Sequence, residues 1–482
     1  MIQDKSFFHL FKTPGGYYLY DVNTNSILNV KKSVYDSLKE SNANTNVIMR
    51  MDNDICEIKG MKERGFLSEK RIKVVSHSAT ETLKYHLNNK LKLLILQVTQ
   101  QCNLRCGYCV YSGNYFNRGH SNKRMDFDTA KKGIDFLIHN SRDTDSIGIG
   151  FYGGEPLLEF DLMKKCINYA LSAAEGKDVT FNFTTNGTLL SKEIIEFLSL
   201  YNINIIISLD GPVEIHDKNR KFASNGCGTF NTINQNLQMI KKDYPEFLNK
   251  ILFNIVLDKE SDFSCINQFF TDYETIKDSM LMVSELAAHY AKSTNKSSEE
   301  YNVKIGYEKF KLLLSKVNRL DKELVSKLIE SHYDVVKKIS LGERNINQEL
   351  PDKAHHSGPC IPGAQRLFID VDGKFYPCEK VSELSKNMCI GHIDRGFDIE
   401  RVEKLLNIGQ ITSEECKNCW ALRFCTICAT VIDDTNQLSA DTKRSLCKRV
   451  REVQEEYFKD YCTLIEFGHS FDDNNSYYVM EG

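Results

Sequence analysis

At 482 residues, the chain is long enough for two or three domains, each with its own hydrophobic core. A formal charge of −3 with 41% hydrophobic residues is typical of a globular protein and argues against a dedicated nucleic-acid-binding protein, which would present a basic face. The sequence contains neither an apolar run long enough to span a bilayer nor a secretion signal at its start. We therefore expect a cytoplasmic protein without a membrane or nucleic-acid partner.

The first 70 residues are predicted to form a small independent module, followed by a polar linker over 71–90. Runs of aromatic and aliphatic residues separated by Gly, Pro and Asn predict three strands, over 7–12, 17–21 and 26–30. Apolar residues at helical spacing follow these strands. This pattern fits a module that binds an extended peptide at a sheet edge, and it fits almost as well a cap that stabilises a neighbouring domain.

Strand and helix patterns then alternate regularly from residue 91 to residue 285. The predicted strands are 91–98, 146–152, 179–184, 203–208, 251–257 and 280–284. The amphipathic stretches between them are 126–139, 161–174, 192–200, 229–242 and 266–276. Six β-α repeats predict an α/β domain with a parallel sheet and helices outside it. Because six repeats are too few for an eight-stranded barrel, we expect an open partial (β/α)6 barrel.

The 16 cysteines are unusual for a chain without a secretion signal and indicate metal ligation rather than disulfides. Cys102, Cys106 and Cys109 follow the first predicted barrel strand with the spacing C-x3-C-x2-C. This loop cannot by itself close a tetrahedral zinc site, which needs four protein ligands. It can hold three corners of a [4Fe–4S] cluster and leave the fourth iron open. Three ordinary buried thiols are the alternative, but they have no reason to adopt this spacing.

The spacing, with Tyr108 just before the last cysteine, resembles the radical SAM family. In that family the open iron binds the amine and carboxylate of S-adenosylmethionine, and an electron from the cluster cleaves it to a 5′-deoxyadenosyl radical. The resemblance implies a partial barrel, S-adenosylmethionine as cofactor, Tyr108 in its binding site, and an external electron donor such as a flavodoxin or ferredoxin-like protein.

Polar and glycine residues follow the next predicted strands at the carboxyl edge of the sheet, where parallel β/α proteins bind ligands. Gly153 and Gly154 would let the backbone approach a ligand, and Glu155 offers an acceptor for an ammonium group. Their position resembles the family motif for the methionine amine. By the same resemblance, the methionine carboxylate and the ribose are expected at four further residues: Thr185, Asn186, Ser208 and Asp210. The alternative is that these are ordinary turn formers.

A second group of cysteines lies in residues 351–462. Cys360, Gly373 and Cys378 fit C-x12-G-x4-C, with a predicted hairpin turn at Asp372-Gly373. A later run fits C-x2-C-x5-C-x2-C with one cysteine after a gap, and consists of Cys416, Cys419, Cys425, Cys428 and Cys447. These seven resemble the SPASM extension of radical SAM enzymes, although the family pattern has three residues, not two, before the position of Cys428.

The SPASM resemblance implies two auxiliary clusters, and therefore three [4Fe–4S] clusters in the chain. It assigns one complete set of ligands to Cys416, Cys419, Cys425 and Cys447. It assigns the second cluster to three thiols only, Cys360, Cys378 and Cys428. Either Cys389 or a cysteine of the substrate would complete this second cluster. Structural zinc remains the alternative, since paired C-x2-C units also suit zinc.

The segments 355–363 and 375–380 resemble maturases of cysteine-rich peptides, the sactipeptide and ranthipeptide type, which form thioether links. The predicted partner is then a cysteine-rich precursor peptide, whose leader would bind a winged-helix-like module at 1–70. Residues 286–350 are predicted as a helical connection and 463–482 as a flexible tail. One alternative is an anaerobic sulfatase-maturing enzyme with Glu379 as the base. A more distant one is a zinc-stapled interaction scaffold without catalysis.

Overall fold

The computed structural model describes residues 6–43, 52–111, 115–174, 176–286, 289–292, 298–340, 349–356, 358 and 360–471. The chain begins with an antiparallel sheet of three strands in the order β1 (Phe8–Lys12), β2 (Tyr17–Asp21) and β3 (Ser26–Val30). Two helices follow, α1 (Lys32–Ala43) and α2 (Asp52–Glu63). The three predicted strands are confirmed to within one residue.

The two faces of this small sheet pack against different partners. Leu19 and Leu28 lie in a core that the sheet shares with α1 and α2. Phe11 and Tyr20 belong instead to a core that contains Phe458 from the C-terminal part of the chain. The predicted independence of residues 1–70 therefore does not hold in the structure, because the alternation of side chains along a strand gives the sheet a second apolar face that needs cover.

The linker contains β4 (Val74–Val75) and α3 (Leu83–Asn89). The elements of the barrel then follow in the expected alternation: β5 (Leu93–Thr99), α4 (Phe127–His139), β6 (Ser146–Gly153), α5 (Phe160–Ala173), β7 (Asp178–Thr185), α6 (Lys192–Ser199), β8 (Ile203–Ser208), α7 (Val213–Asn219), α8 (Phe230–Asp243), α9 (Pro245–Leu248), β9 (Ile251–Leu257), α10 (Phe263–Asp272) and β10 (Met280–Glu285). All six predicted strands are present, and each pairs in parallel with the next.

Successive side chains along each barrel strand alternate between a face that packs against the helices and the opposite face. A Cβ atom placed on Gly133 of α4 would lie 3.2 Å from Leu96 and 3.7 Å from Leu94, so these two leucines point towards that helix. Ile95 and Gln97, between and after them, therefore point to the other side of the sheet. The helices begin where capping side chains accept backbone N–H groups, as Asp126 does from Thr129 at 2.7 Å.

The C-terminal part adds helices and short strands: α11 (Glu299–Lys316), α12 (Glu330–Ser340), β11 (Lys353–Ala354), β12 (Leu367–Ile369), β13 (Lys374–Tyr376), β14 (Gly391–His392), β15 (Gly396–Phe397), α13 (Ile399–Leu406), α14 (Ser413–Lys417) and α15 (Ala440–Glu466). The predicted hairpin at Asp372-Gly373 joins β12 to β13. Gly373 has φ +82°, which favours glycine at this turn.

Strand β12 pairs in parallel with β5 and so extends the barrel sheet. The resulting order of ten strands is β10-β9-β8-β7-β6-β5-β12-β13-β14-β15. The cysteine-rich part of the chain thus shares a sheet with the barrel. Sequence analysis placed the hairpin in a separate domain, because nothing in a strand of three residues indicates which distant strand it will pair with.

Helix α15 continues past the predicted domain boundary at 462 and ends at Glu466. Glu466 accepts a hydrogen bond of 2.6 Å from the Tyr18 hydroxyl, and Phe471 stacks on Tyr333. Residues 463–471 are therefore packed rather than a tail, because they cover the N-terminal sheet and α12. The remainder of the predicted tail, 472–482, lies outside the described residues, as does part of the predicted helical connection. Within the described part of the chain, no helix has the length and apolarity needed to cross a bilayer.

The ring of Phe458 links the two ends of the chain and should be a large contributor to stability. It is fully buried against Phe11, Tyr20, Phe424 and Trp420. We expect Phe458→Ala to lower the free energy of unfolding by about 3 to 5 kcal/mol, since it leaves a cavity in this cluster.

Denaturant unfolding followed by far-UV circular dichroism measures this loss. Phe467→Ala, which changes a phenylalanine 49% exposed just after the same helix, is the matched control and should cost far less. Equal effects of the two substitutions would show that the cluster does not join the termini as described.

Candidate functional site

The loop that follows β5 carries Cys102, Cys106 and Cys109. Backbone N–H groups point at two of the sulfur atoms, from Leu104 to Cys102 at 3.3 Å and from Tyr111 to Cys109 at 3.4 Å. Burial raises the pKa of Cys102 to about 12, and the neighbouring Glu155, Cys106 and Cys109 add to the increase. The three thiols therefore lie close enough to interact, and a metal centre would have to displace their protons.

The arrangement does not suit a single metal ion. Among the described residues, no three His, Cys, Asp or Glu side chains are placed to bind one ion together. In an iron–sulfur cube each thiolate binds a different iron, so its ligands need not converge on one point. Hydrogen bonds from backbone N–H to sulfur are a feature that such clusters use. The donor set of this loop thus fits an iron–sulfur cluster better than a zinc ion.

The two glycines after β6 are required by a close approach of the chain to itself. A Cβ atom on Gly153 would lie 1.9 Å from the Thr99 carbonyl oxygen, and one on Gly154 would lie 2.1 Å from that of Gln101. The N–H groups of Gly154 and Glu155 donate to these same two carbonyls, each at 3.0 Å. The absence of side chains at Gly153 and Gly154 therefore lets the end of β6 pack directly on the cysteine loop.

The Glu155 carboxylate is 1% exposed and links the end of β6 to the end of β7. It accepts hydrogen bonds from the Leu157 N–H at 3.1 Å, the Thr185 hydroxyl at 2.7 Å and the Asn186 N–H at 2.7 Å. Burial raises its pKa to about 7, against the effect of these three donors. A carboxylate has about four acceptor positions, so one remains for an ammonium group of a ligand.

Asn186 connects this network to the first cysteine. Its side-chain amide donates to Asn103 Oδ1 at 2.8 Å and approaches the Cys102 sulfur at 3.9 Å. Thr188 completes the contact by donating to Asn186 Oδ1 at 2.6 Å and accepting from Asn103 at 2.9 Å. Asn103 and Thr188 were not predicted as site residues, although both stand directly beside motif positions in the sequence.

Asp210, predicted as a residue of the S-adenosylmethionine site, forms a buried ion pair with Arg220 at 2.8 Å. It also accepts hydrogen bonds from the Tyr108 hydroxyl and from the Val256 N–H, the latter at 3.2 Å. The Arg220 guanidinium lies 5.4 Å over the Tyr108 ring. These contacts use both carboxylate oxygens to fix Tyr108 beside the cysteine loop, whereas Ser208, also buried, ends β8 on the face opposite the helices.

Four of the C-terminal cysteines line a single cavity of about 300 Å³. They are Cys416, Cys419, Cys425 and Cys447, the set that the SPASM resemblance assigned to one cluster. Cys416 lies in α14, Cys419 and Cys425 lie in the segment that follows it, and Cys447 lies near the start of α15. The size of the cavity and its four thiols fit a cluster with complete protein ligation.

The other three predicted ligands, Cys360, Cys378 and Cys428, interact electrostatically with one another. Burial raises the pKa of Cys378 to about 12, and Glu379, Cys360 and Cys428 add to the increase. The Cys389 thiol points to the Gly391 carbonyl oxygen at 3.5 Å. The structure therefore brings three thiols together, and gives Cys389 a different partner.

Two residues that sequence analysis missed lie between the first cysteine loop and these three thiols. The buried Arg118 donates to the carbonyl oxygens of Glu379 at 2.5 Å and Val381 at 2.9 Å, and pairs with Glu383 at 2.9 Å. Burial raises the pKa of Tyr152 to about 12, with further effects from Arg118, Glu379 and Cys109. A buried arginine in a loop and one aromatic residue in a strand leave no recognisable pattern in a sequence.

Residues 96–262 match the family model of the Radical SAM superfamily. This part of the chain is a radical SAM domain. The match covers β5 to β9 and includes Cys102, Cys106 and Cys109, so the geometry of the cysteine loop and the Glu155 network belongs to this domain.

Three relatives of the radical SAM domain carry different names. An uncharacterized protein of Methanocaldococcus jannaschii is 28% identical over 310 residues, which are 63% of this chain and 89% of that protein. The radical SAM cyclopropyl synthase of Paramaledivibacter caminithermalis is 24% identical over 41% of this chain and 42% of its own length. The serine-type anaerobic sulfatase-maturating enzyme of Bacteroides thetaiotaomicron is 32% identical over 32% and 37%. The alignments thus span less than half of the last two proteins.

Solved structures confirm the α/β radical SAM fold with its parallel sheet. The structure of native anSMEcpe with bound AdoMet matches with a TM-score of 0.57 and 20% identity, over 78% of this chain and 98% of that one. The same protein with AdoMet and Cp18Cys peptide matches with a TM-score of 0.56 and 20% identity, over the same shares. At this level of identity the likeness shows the fold.

The raised pKa of Glu155 predicts how the stability of the radical SAM domain depends on pH. The protonated carboxyl stabilises the fold fully below its ordinary pKa of 4.5, and this stabilisation is lost as the pH rises through about 7. Between about pH 5 and about pH 8, we expect the free energy of unfolding to fall by about 2 to 3 kcal/mol from this group alone.

Urea unfolding at the two pH values, in wild type and in Glu155→Gln, measures the effect. The variant should lose most of this difference, whereas the exposed Glu214→Gln, at the start of α7, should keep it. A pH dependence that is the same in Glu155→Gln and wild type would show that Glu155 is already ionised at low pH.

Proposed function

We propose that this chain is a radical SAM maturase that forms thioether crosslinks in a ribosomally made, cysteine-rich peptide. The observation that carries the proposal is the incomplete group of auxiliary ligands. Cys360, Cys378 and Cys428 supply three thiols, while Cys389 points to Gly391. A cluster on three thiolates would keep one position for the thiolate of a peptide cysteine, as metal centres with an open position do.

The first cysteine loop would provide the radical chemistry. Cys102, Cys106 and Cys109 would hold a [4Fe–4S] cluster, which with S-adenosylmethionine would supply a 5′-deoxyadenosyl radical for removing a hydrogen atom from a peptide carbon. The chain itself holds the loop still: Glu155 and Asn186 fix its start, and the Asp210–Arg220 pair fixes Tyr108 near its end. Such fixed positioning matters because a misplaced reacting atom costs large factors in rate.

Glu379 is the residue proposed to act on the peptide thiol. It follows Cys378 directly, and both of its carboxylate oxygens accept from Arg366 Nη1, at 2.8 and 3.0 Å. The Arg118 guanidinium donates to the Glu379 backbone carbonyl oxygen. We propose that this carboxylate takes the proton of the incoming cysteine, while Tyr152 and Arg118 keep the space between the two sites ordered and dry.

The N-terminal sheet is proposed to bind the leader of the precursor peptide. Among the described strands, β3 pairs with β2 alone and is an outer strand of its sheet, whereas β1 packs against α15. An extended leader can therefore add to β3, where backbone hydrogen bonds give affinity and side-chain pockets give register. The cover that α15 gives to one face of the sheet would hold the bound leader at a fixed distance from the barrel.

The second candidate is formylglycine formation on a sulfatase. Several relatives are named as anaerobic sulfatase-maturating enzymes, and Glu379 beside Cys378 also suits the base of that reaction. The two activities differ in their products. Formation of a thioether link keeps the cysteine sulfur and removes a pair of hydrogen atoms from the peptide. Oxidation of cysteine to formylglycine removes the sulfur.

High-resolution mass spectrometry of a cysteine-rich peptide encoded beside this gene and co-expressed with it distinguishes the candidates. We expect sulfur to be retained, with alkylation-resistant cysteines and a loss of hydrogen. Loss of sulfur, or an unchanged peptide alongside a modified sulfatase, would favour formylglycine formation. A chain purified with zinc and no iron would support the non-catalytic scaffold instead.

A test of the open ligand position uses the reconstituted enzyme. Cys389→Ala should keep its full iron content and still form the thioether, because Cys389 is not a ligand in this proposal. Cys378→Ala is the control and should lose about four iron atoms. Substrate peptide should change the electron paramagnetic resonance spectrum of the auxiliary clusters, and a peptide with Ser in place of Cys should not. Loss of about four iron atoms from Cys389→Ala would contradict the open position.

A test of leader binding uses hydrogen–deuterium exchange. Adding the precursor peptide should slow exchange in Ser26–Val30, since a new strand would cover the outer edge of β3. Exchange in Phe8–Lys12 of the same sheet serves as the internal reference, and a peptide without its leader serves as the ligand control. Equal protection by both peptides, or none in β3, would favour the role of a stabilising cap.

A further inference from the structure

A buried lysine stands beside the four-cysteine cavity. Lys443 lies in the first turn of α15, one turn before Cys447, and is 1% exposed. Its Nζ donates to the Ile408 carbonyl oxygen at 3.0 Å and to the Cys416 sulfur at 3.5 Å. The side chain therefore presents its amino group to the cavity from the protein side rather than to solvent.

No carboxylate among the described residues pairs with this amino group within 4.0 Å. The Glu415 carboxylate interacts electrostatically with Lys443, but its ion pair of 2.5 Å is with Arg444. Burying an ammonium group without a counter-ion costs several kcal/mol, so such groups are normally paired. Among the described residues, the Lys443 amino group is thus hydrogen-bonded to the Ile408 carbonyl oxygen and the Cys416 sulfur without a carboxylate partner.

Further cationic side chains line the same cavity. Arg451, two turns further along α15, hydrogen-bonds the Cys419 thiol. Burial raises the pKa of Cys425 to about 11, and the charge of Lys443 acts in the opposite direction. The lining of the cavity combines four thiols with Lys443, Arg444 and Arg451, against the single carboxylate of Glu415. The site is built to receive a group of net negative charge.

We propose that Lys443 is the fixed counter-charge of the four-cysteine site, where it stabilises the thiolate-ligated cluster and raises its reduction potential. This rests on the proposed function. Forming a sulfur–carbon bond from S–H and C–H releases one proton from the thiol, one hydrogen atom to the deoxyadenosyl radical, and one electron. The cluster beside Lys443 is the acceptor of that electron, because a nearby positive charge favours the reduced, more negative state of a cluster.

The test uses the full-length, reconstituted enzyme and three variants. Lys443→Met removes the charge and keeps the length of the side chain, and Lys443→Arg keeps the charge. Lys448→Met, on the same helix and 82% exposed, is the matched control, since water screens its charge. Iron content and the midpoint potentials of the clusters, from redox titration followed by electron paramagnetic resonance, are measured for each.

We expect Lys443→Met to shift one midpoint potential to a more negative value, Lys443→Arg to stay near wild type, and Lys448→Met to match wild type. Loss of about four iron atoms from Lys443→Met but not from Lys443→Arg also supports the counter-charge. Unchanged potentials in Lys443→Met with full iron, or iron loss from both Lys443 variants, would overturn it.

A different result would show that the assignment of a cluster to the four-cysteine cavity is wrong. If changing both Cys416 and Cys419 to Ala left the iron content and every midpoint potential unchanged, the four-cysteine cavity would hold no cluster, whatever Lys443 does. If that change removes about four iron atoms and Lys443→Met has no effect on iron content or potentials, the cluster assignment stands and only the role of Lys443 is rejected.

Discussion

The parallel pairing of β12 with β5 is the constraint on which the arrangement of the candidate sites depends. Leu367 pairs with Leu94 and Ile369 with Leu96, so the hairpin that carries Cys378 continues the sheet whose strand β5 leads into the first cysteine loop. Arg118 strengthens this junction by binding the backbone of Glu379 and Val381 from the loop beyond Cys109. The two candidate sites consequently follow strands of one sheet, an arrangement that suits the proposed radical chemistry between them.

The polar side chains around the first cysteine loop form hydrogen bonds and ion pairs mainly with one another and with the backbone. Glu155 accepts three hydrogen bonds, and Asp210 is shared between Arg220 and Tyr108. Buried polar groups are stabilising only when they are satisfied, and here each supports a backbone turn that would otherwise be free to move. The loop thus derives its shape from neighbouring strand ends. A ligand at this edge of the sheet would meet a surface that is already organised.

The regular part of the fold could be predicted from sequence because its signals are local. The strand at 203–208 and that at 251–257 were placed without error, since a short apolar run bounded by turn residues is unambiguous in a β/α repeat. The resemblance of the cysteine pattern to the SPASM extension likewise grouped the four residues that line one cavity, Cys416, Cys419, Cys425 and Cys447. These inferences needed no knowledge of contacts between distant segments.

Long-range contacts explain what sequence analysis could not provide. The ion pair of Asp210 with Arg220 could not be predicted, because nothing in the sequence around Asp210 identifies the arginine ten residues later as its partner. Residues 463–471 were expected to be flexible because they were grouped with the Asp- and Asn-rich residues that follow them, and this grouping hid the burial of Phe471. The close approach of Gly153 and Gly154 to the cysteine loop could not be predicted either, because it depends on how that loop folds.

The central claim is that three separate groups of cysteines hold three iron–sulfur clusters. Iron content after anaerobic reconstitution tests it most directly, in wild type and in variants with one group at a time changed to Ala. We predict about twelve iron atoms in wild type and a loss of about four for each group. The change at Cys102, Cys106 and Cys109 should in addition abolish formation of 5′-deoxyadenosine. Bound zinc in place of iron, or 5′-deoxyadenosine formation that survives this triple change, would contradict the account.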